Sequence, residues 1–166
     1  MALLRPTGPF IGLPTLAEAF TAGVEKLPST LTERTRRAWA EFDAAPERLS
    51  TAWQDFVLGD VLRYPLSALR VAAAADVDVR GSFKPDQVLV GTAGDERVRL
   101  HVYRREVDPE LAARVCRDTG TPLALATEGR FWTLIHARPG GPTSTAVFDA
   151  DLWSEEPLLL RAFATL

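Results

Sequence analysis

Hydrophobic positions along the chain follow a helical period in the first third and change to a mixture of strand and helix periods beyond Gly81. Met1 to Pro14 holds three prolines and two glycines, which predicts an extended arm. Leu16, Ala19, Phe20 and Val24 then recur at helical spacing until Pro28 interrupts them. Ser29 or Thr30 is the expected cap of a second helix, whose face is Leu31, Arg34, Thr35, Ala38, Trp39 and Phe42 and which ends near Pro46. A third helix is expected after Ser50. Its stripe of Trp53, Phe56, Val57, Asp60, Val61 and Tyr64 has the spacing of a buried face, and Pro65 ends it. Asp60 is the odd member: a carboxylate on that stripe needs hydrogen-bond partners or a route to solvent. Val71 to Ala75 reads as a loop or a short helix.

In the second part, Gln87 to Val90 predicts a short strand and Gly91 to Asp95 a turn. Val98 to Tyr103 alternates, which sends Val98, Leu100 and Val102 to the core and Arg99, His101 and Tyr103 to an exposed surface. Asp108-Pro109 opens a helix with the inner stripe Leu111, Ala112, Val115 and Cys116, and Gly120 stops it. Pro122 to Thr127 and Phe131 to Ala137 form a hairpin around a two-residue Glu128-Gly129 turn. Pro139 to Pro142 leads to a strand at Thr145 to Phe148, and Pro157 opens a closing helix that runs to Leu166. Three helices followed by ββαβββα predict an α/β (α+β) fold: N-terminal helices, then a mixed sheet of about five strands with flanking helices. The expected division is an arm with helices over 1–49 and an α/β unit over 50–166, together one compact body. The last helix stops on apolar residues without a cap, as in a piece of a longer protein.

Composition narrows the function classes. The 166 residues are 46% hydrophobic and 25% charged, which suits one folded domain and not a disordered chain. Nineteen basic against twenty-two acidic side chains give a net charge of -3, so an overall basic nucleic-acid sleeve is excluded while local patches stay open. Cys116 is the single cysteine, and His101 and His136 are the only histidines. A disulfide framework and a site built on several Cys or His metal ligands therefore have little to draw on. No apolar run reaches the ~18 residues of a membrane span and the N-terminus lacks a signal-peptide layout, so a cytoplasmic protein without membrane contact is expected.

The run Phe83-Lys84-Pro85-Asp86-Gln87-Val88-Leu89-Val90, its turn, and Arg99 to Arg104 resemble the core of PD-(D/E)XK nuclease-like domains, in the order helix, two-strand hairpin, helix, strand. Gly120-Thr121-Pro122 through Thr127-Glu128-Gly129-Arg130-Phe131-Trp132-Thr133-Leu134, with Ala146 to Asp149 and Trp153 to Phe163, is similar to the N-terminal domain of large restriction–modification DNA adenine methyltransferases. The likeness covers roughly residues 50 to 166. It implies a restriction-endonuclease-like fold in a phage-defence enzyme. DNA and partner subunits of the defence system are the implied partners, and S-adenosylmethionine chemistry would lie in a methylating part beyond this chain, which has no Asn-Pro-Pro-Tyr-like motif.

In such a site, paired carboxylates hold Mg²⁺ and a lysine positions the attacking water. Asp86 matches the first carboxylate and Asp60 is the candidate from the helix, so these two are the implied metal ligands. Asp95 joins them as a catalytic candidate if the site is active. The acidic-x-Lys frame on the second strand falls on His101-x-Tyr103 or Val102-Tyr103-Arg104, and neither has a carboxylate. Asp95-Glu96-Arg97 has an acid and a base, but at the turn, and arginine stays protonated. The expectation is a nuclease-like scaffold without hydrolysis and with no cofactor of its own. Two alternatives stay open: an active Mg²⁺-dependent endonuclease, and a protein-interaction module without a nucleic-acid role.

Each candidate also has a plainer reading. Asp86 is equally suited to turn chemistry before a strand, and Asp60 to a carboxylate that reaches solvent. Arg97, Arg99, Arg104 and Arg105 cluster on one hairpin as candidate phosphate contacts, while a solvated strand face accounts for them nearly as well. Arg34, Arg36 and Arg37 fit the exposed side of the second helix. Trp132 and Phe131 fit core or sheet-face packing better than base stacking, and Cys116 fits a buried small hydrophobe. Ser82, Ser144 and Ser154 lack a nucleophile elbow, and Pro139-Gly140-Gly141-Pro142 is a loop and not a phosphate cradle.

Overall fold

A computed structural model describes residues 4–7, 26–76, 83–91 and 96–166 of the chain. The helix expected from Thr15 lies outside the described residues. In chain order the elements are β1 (Leu4–Thr7), α1 (Ser29–Ala44), α2 (Pro46–Phe56), β2 (Leu69–Val71), β3 (Gln87–Val90), β4 (Val98–Tyr103), α3 (Pro109–Thr119), β5 (Leu123–Thr127), β6 (Phe131–Ala137), β7 (Thr143–Asp149) and α4 (Pro157–Phe163). The mixed α/β architecture agrees with the sequence expectation. Among the described residues the sheet has seven strands instead of about five, in the order β1-β7-β6-β5-β4-β3-β2. The additions are the two edges: β1 from the extended arm pairs with β7, and β2 pairs with β3. All neighbours run antiparallel except β4 and β5, which are parallel because α3 carries the chain across one face of the sheet.

Two layers of helix cover the sheet. One face packs Leu100, Val102, Leu125, Trp132, Leu134 and Phe148 against α1, α2 and α4. Thr35, Trp39 and Phe42 are the buried stripe of α1, and Trp53 is its counterpart on α2. The rings of Trp39, Phe42, Trp53 and Trp153 meet at centroid distances of 5.5 to 6.1 Å. Trp39 and Phe42, from the first 49 residues, thus share one core with the rest, and the 49/50 boundary falls within α2. The other face packs Tyr103, Ala124, Ala126, Ile135 and Ala137 against Ala112, Ala113 and Cys116 of α3. Small side chains on both sides let α3 lie close to the strands.

Several local expectations need correction. α1 starts after Pro28 with no side-chain cap, so neither Ser29 nor Thr30 has that role. α2 begins at Pro46, its first position, and not after Ser50 as expected, so Ala45 alone separates the two helices. α2 widens into a π-turn at Val57–Val61. Val71 belongs to β2, followed by a 3₁₀ turn at Ala74–Asp76. The β5–β6 connection takes three residues, Glu128 to Arg130, and α4 ends at Phe163. His101 and Tyr103, expected on an exposed surface, are both fully buried because α3 covers that face.

Gly129 ties the hairpin to the helical layer. Its carbonyl accepts the indole N–H of Trp53 at 2.7 Å and that of Trp132 at 3.1 Å, and its amide donates to Thr127 Oγ1 at 2.8 Å. With φ at +118° and a built Cβ only 2.4 Å from Phe42 Cζ, the position accepts glycine alone. The Thr127-x-Gly129-x-x-Trp132 element is therefore a folding device.

Candidate functional site

The polar cluster nearest to the sequence expectation lies at the end of the β3–β4 pair. Asp86 immediately precedes β3, where its amide donates to Val102 O at 3.0 Å and holds the residue beside the end of β4. Asp86 Oδ2 accepts the Arg104 amide at 2.7 Å, and Oδ1 accepts Nη1 of Arg105. Arg105 also donates to Lys84 O at 3.0 Å and lies over the Phe83 and Tyr103 rings, 5.6 and 5.5 Å from their centroids.

Strand alternation sends Arg104 to the opposite side, toward α2. Its guanidinium donates to Gln87 Oε1 at 2.7 Å, Asp55 Oδ1 at 2.6 Å and Gln54 Oε1 at 3.4 Å. Gln54 is buried, and its amide nitrogen donates to Ser50 Oγ at 3.1 Å, which aims its oxygen at Arg104. The Arg104 side chain is only 19% exposed, so its charge requires this pairing. Asp55 and Asp86 against Arg104 and Arg105 leave the cluster without net charge.

The predicted ligands do not converge. Asp60 is 40% exposed and pairs with Arg34 at 2.6 Å, across from α1. Asp86 is held by the two arginines, and Asp95 lies outside the described residues. Among the described residues no three His, Cys, Asp or Glu side chains are grouped as metal ligands. In the frame Val102-Tyr103-Arg104 the carboxylate position is a fully buried valine. Of the four candidate DNA arginines, Arg97, Arg99 and Arg105 are exposed and Arg104 is half-buried; Arg104 pairs with Asp55 and Arg105 with Asp86. Asp55 and Gln54 escaped sequence reasoning, because they fall between the positions of the apolar stripe, where polar residues read as solvent-facing.

A second chemical grouping is buried under α3. Thr119 Oγ1 donates to Val115 O at 2.8 Å, so its contact with His101 Nε2 at 3.3 Å has the ring nitrogen as donor. Nδ1 is then the acceptor and faces Cys116 Sγ at 3.8 Å. Burial pushes the His101 imidazolium down to about 4, opposed by the charge of Asp76, and pushes the Cys116 thiol up to about 12. Both groups are neutral at ordinary pH, and the pair lacks the thiolate that a nucleophile requires. Nearby Asp76 accepts Arg70 at 2.7 and 3.2 Å and the Ala73 amide at 2.7 Å. Its burial favours the neutral acid, but the Arg70 and Ala73 hydrogen bonds with the charges of Arg70 and His101 hold it below the usual carboxylate range.

Arg130 pairs with Asp149 through two contacts of 3.0 Å and lies 5.2 Å from the Phe131 centroid. Phe131 is 43% exposed while Trp132 is fully buried, so of that pair only the tryptophan is core. No described helix is long and apolar enough to cross a membrane. No family model, curated protein or solved structure matches the chain.

Proposed function

We propose that the chain is the nuclease-like accessory domain of a restriction–modification, phage-defence DNA methyltransferase. In this reading it is non-catalytic, acts in the cytoplasm, and contributes DNA contact or a subunit dock to a methylating part that binds S-adenosylmethionine. The observation that carries the reading is the state of Asp86. Both carboxylate oxygens at the implied metal position are occupied by the Arg104 amide and the Arg105 guanidinium. A carboxylate whose two oxygens are both engaged in this way is poorly disposed to take up Mg²⁺, and Val102 supplies no carboxylate from the second strand. The order α2, antiparallel β2–β3–β4, α3 and parallel β5 is consistent with the helix, hairpin, helix, strand order of the resemblance.

DNA contact in this reading falls on the arginines of the β3–β4 hairpin and is probed at Arg97 and Arg99, which are exposed. Phosphate neutralisation makes log affinity fall with log salt by about 0.9 per contact. The test is duplex binding across a salt series with the wild type and with Arg97→Ala/Arg99→Ala. A slope smaller by about 2 in the double variant supports the reading. Wild-type protein that ignores duplex DNA at low salt removes the DNA half of it.

A further inference from the structure

The β4–α3 loop has a second side, distinct from the Asp86 cluster. There a cavity of about 370 Å³ opens over the sheet beside the start of α3, lined by residues of the β4–α3 loop, β5, β6 and β7. Val107, Ala126, Phe131 and Val147 give it an apolar floor and wall, and Glu106 and Glu128 stand at its rim. The opening lies at the carboxyl ends of the parallel pair β4 and β5, beside the first turn of their crossover helix. In open α/β sheets that crevice is where ligands bind.

Its charge selects the class of ligand. A helix N-terminus favours anions, but Asp108 already caps α3 through the Glu110 amide at 2.9 Å, and Glu110 follows in the first turn. Glu106 and Glu128 add two further carboxylates, and Glu128 is held in place by the Phe131 amide at 3.1 Å. Of the cations in the surroundings, Arg130 is engaged with Asp149 and Asp151, and Arg117 reaches Glu110 at 4.0 Å. The balance stays acidic, so a phosphate backbone is repelled and a cationic segment is favoured.

We infer that this trough docks a cationic segment of a partner polypeptide, in which an apolar side chain enters over Phe131 and flanking lysine or arginine meets Glu106 and Glu128. The inference specifies the partner-docking part of the proposed function and does not depend on the nuclease-like reading. A DNA-binding failure at Arg97 and Arg99 would leave it standing.

The test is amide chemical-shift mapping on the full ¹⁵N-labelled chain with two capped probes, acetyl-Lys-Phe-Lys-amide and acetyl-Glu-Phe-Glu-amide, and with a short DNA duplex. The cationic peptide is expected to shift Val107, Phe131 and Val147 saturably in the millimolar range. Glu106→Gln/Glu128→Gln should weaken it about threefold to tenfold, since exposed charge pairs contribute modestly. Phe131→Ala, at a position already half exposed, should remove the shifts while the rest of the spectrum is retained. The inference is overturned if the anionic peptide binds the trough as well as the cationic one. It is equally overturned if the cationic peptide shifts none of these residues, or if DNA shifts the same set.

Discussion

Arg105 sets its guanidinium on the Asp86 carboxylate while lying over the Phe83 and Tyr103 rings. The same carboxylate also caps the Arg104 amide at the end of β4. Asp86 thus acts on the backbone and on a cation together, and the two roles are separable. Both side chains of the ion pair are about 40% exposed, so the pair itself contributes at most ~1 kcal/mol. Asp86→Asn, which retains an acceptor for the amide, should cost ~0.5–1 kcal/mol, and Asp86→Ala should cost ~1–2 kcal/mol because the amide loses its partner. Urea denaturation of the two variants checks the order. Equal losses would show that the charge, and not the cap, is what matters.

Arg104 joins the helical layer to the sheet, through Asp55 and Gln54 on α2 and Gln87 on β3. A lysine retains the charge but loses the planar fork. Arg104→Lys should lower stability by roughly 1–2 kcal/mol, read as a drop in Tm, and leave the salt slope of DNA binding unchanged. A reduced slope with unchanged Tm would return Arg104 to the DNA contacts.

The element order and most strands could be read from the sequence because their signals are local: alternation at Val98 to Tyr103, proline at the start of α3, and Gly120 at its end with φ of +74°. What covers each face could not. A period of two tells which residues share a face, but His101 and Tyr103 became core only because α3, a later element, crosses over them. β2 was invisible for a different reason: Leu69-Arg70-Val71 alternates, but three residues are too short a run to signal a strand. The candidate site was legible at Asp86 and Arg104 as residues, whereas their partnerships were not. Asp55 lies 49 positions from Arg104, and no local pattern records that distance.

Gly129→Ala should be among the most damaging single changes in the chain. The added carbon meets Phe42, and the backbone conformation at +118° is strained for any L side chain. A loss of ~3 kcal/mol or more is expected from strain and overpacking combined, with less soluble protein and a lower Tm. A change below about 1 kcal/mol would mean that the hairpin can move away from Phe42 freely.

Acid should destabilise the fold through His101. Its folded value of about 4 lies below the ordinary 6.5, so the neutral ring favours the native state. That contribution is complete above pH 6.5 and is lost as pH falls from 6.5 toward 4, amounting to roughly 3 kcal/mol at most. His136, held low by burial and by Arg138, adds in the same direction. Stability curves between pH about 7.5 and about 4.5 should show the wild type losing more stability than His101→Gln, whatever their offset at neutral pH. Curves that stay parallel would remove His101 as the source.

Plasmid nicking in Mg²⁺ or Mn²⁺, with the wild type beside Asp86→Ala, tests the non-catalytic reading most directly. The arrangement of Asp86, Arg105 and Val102 predicts no relaxation of supercoiled DNA above the metal-only control for either protein. Metal-dependent nicking by the wild type that disappears in Asp86→Ala would contradict it.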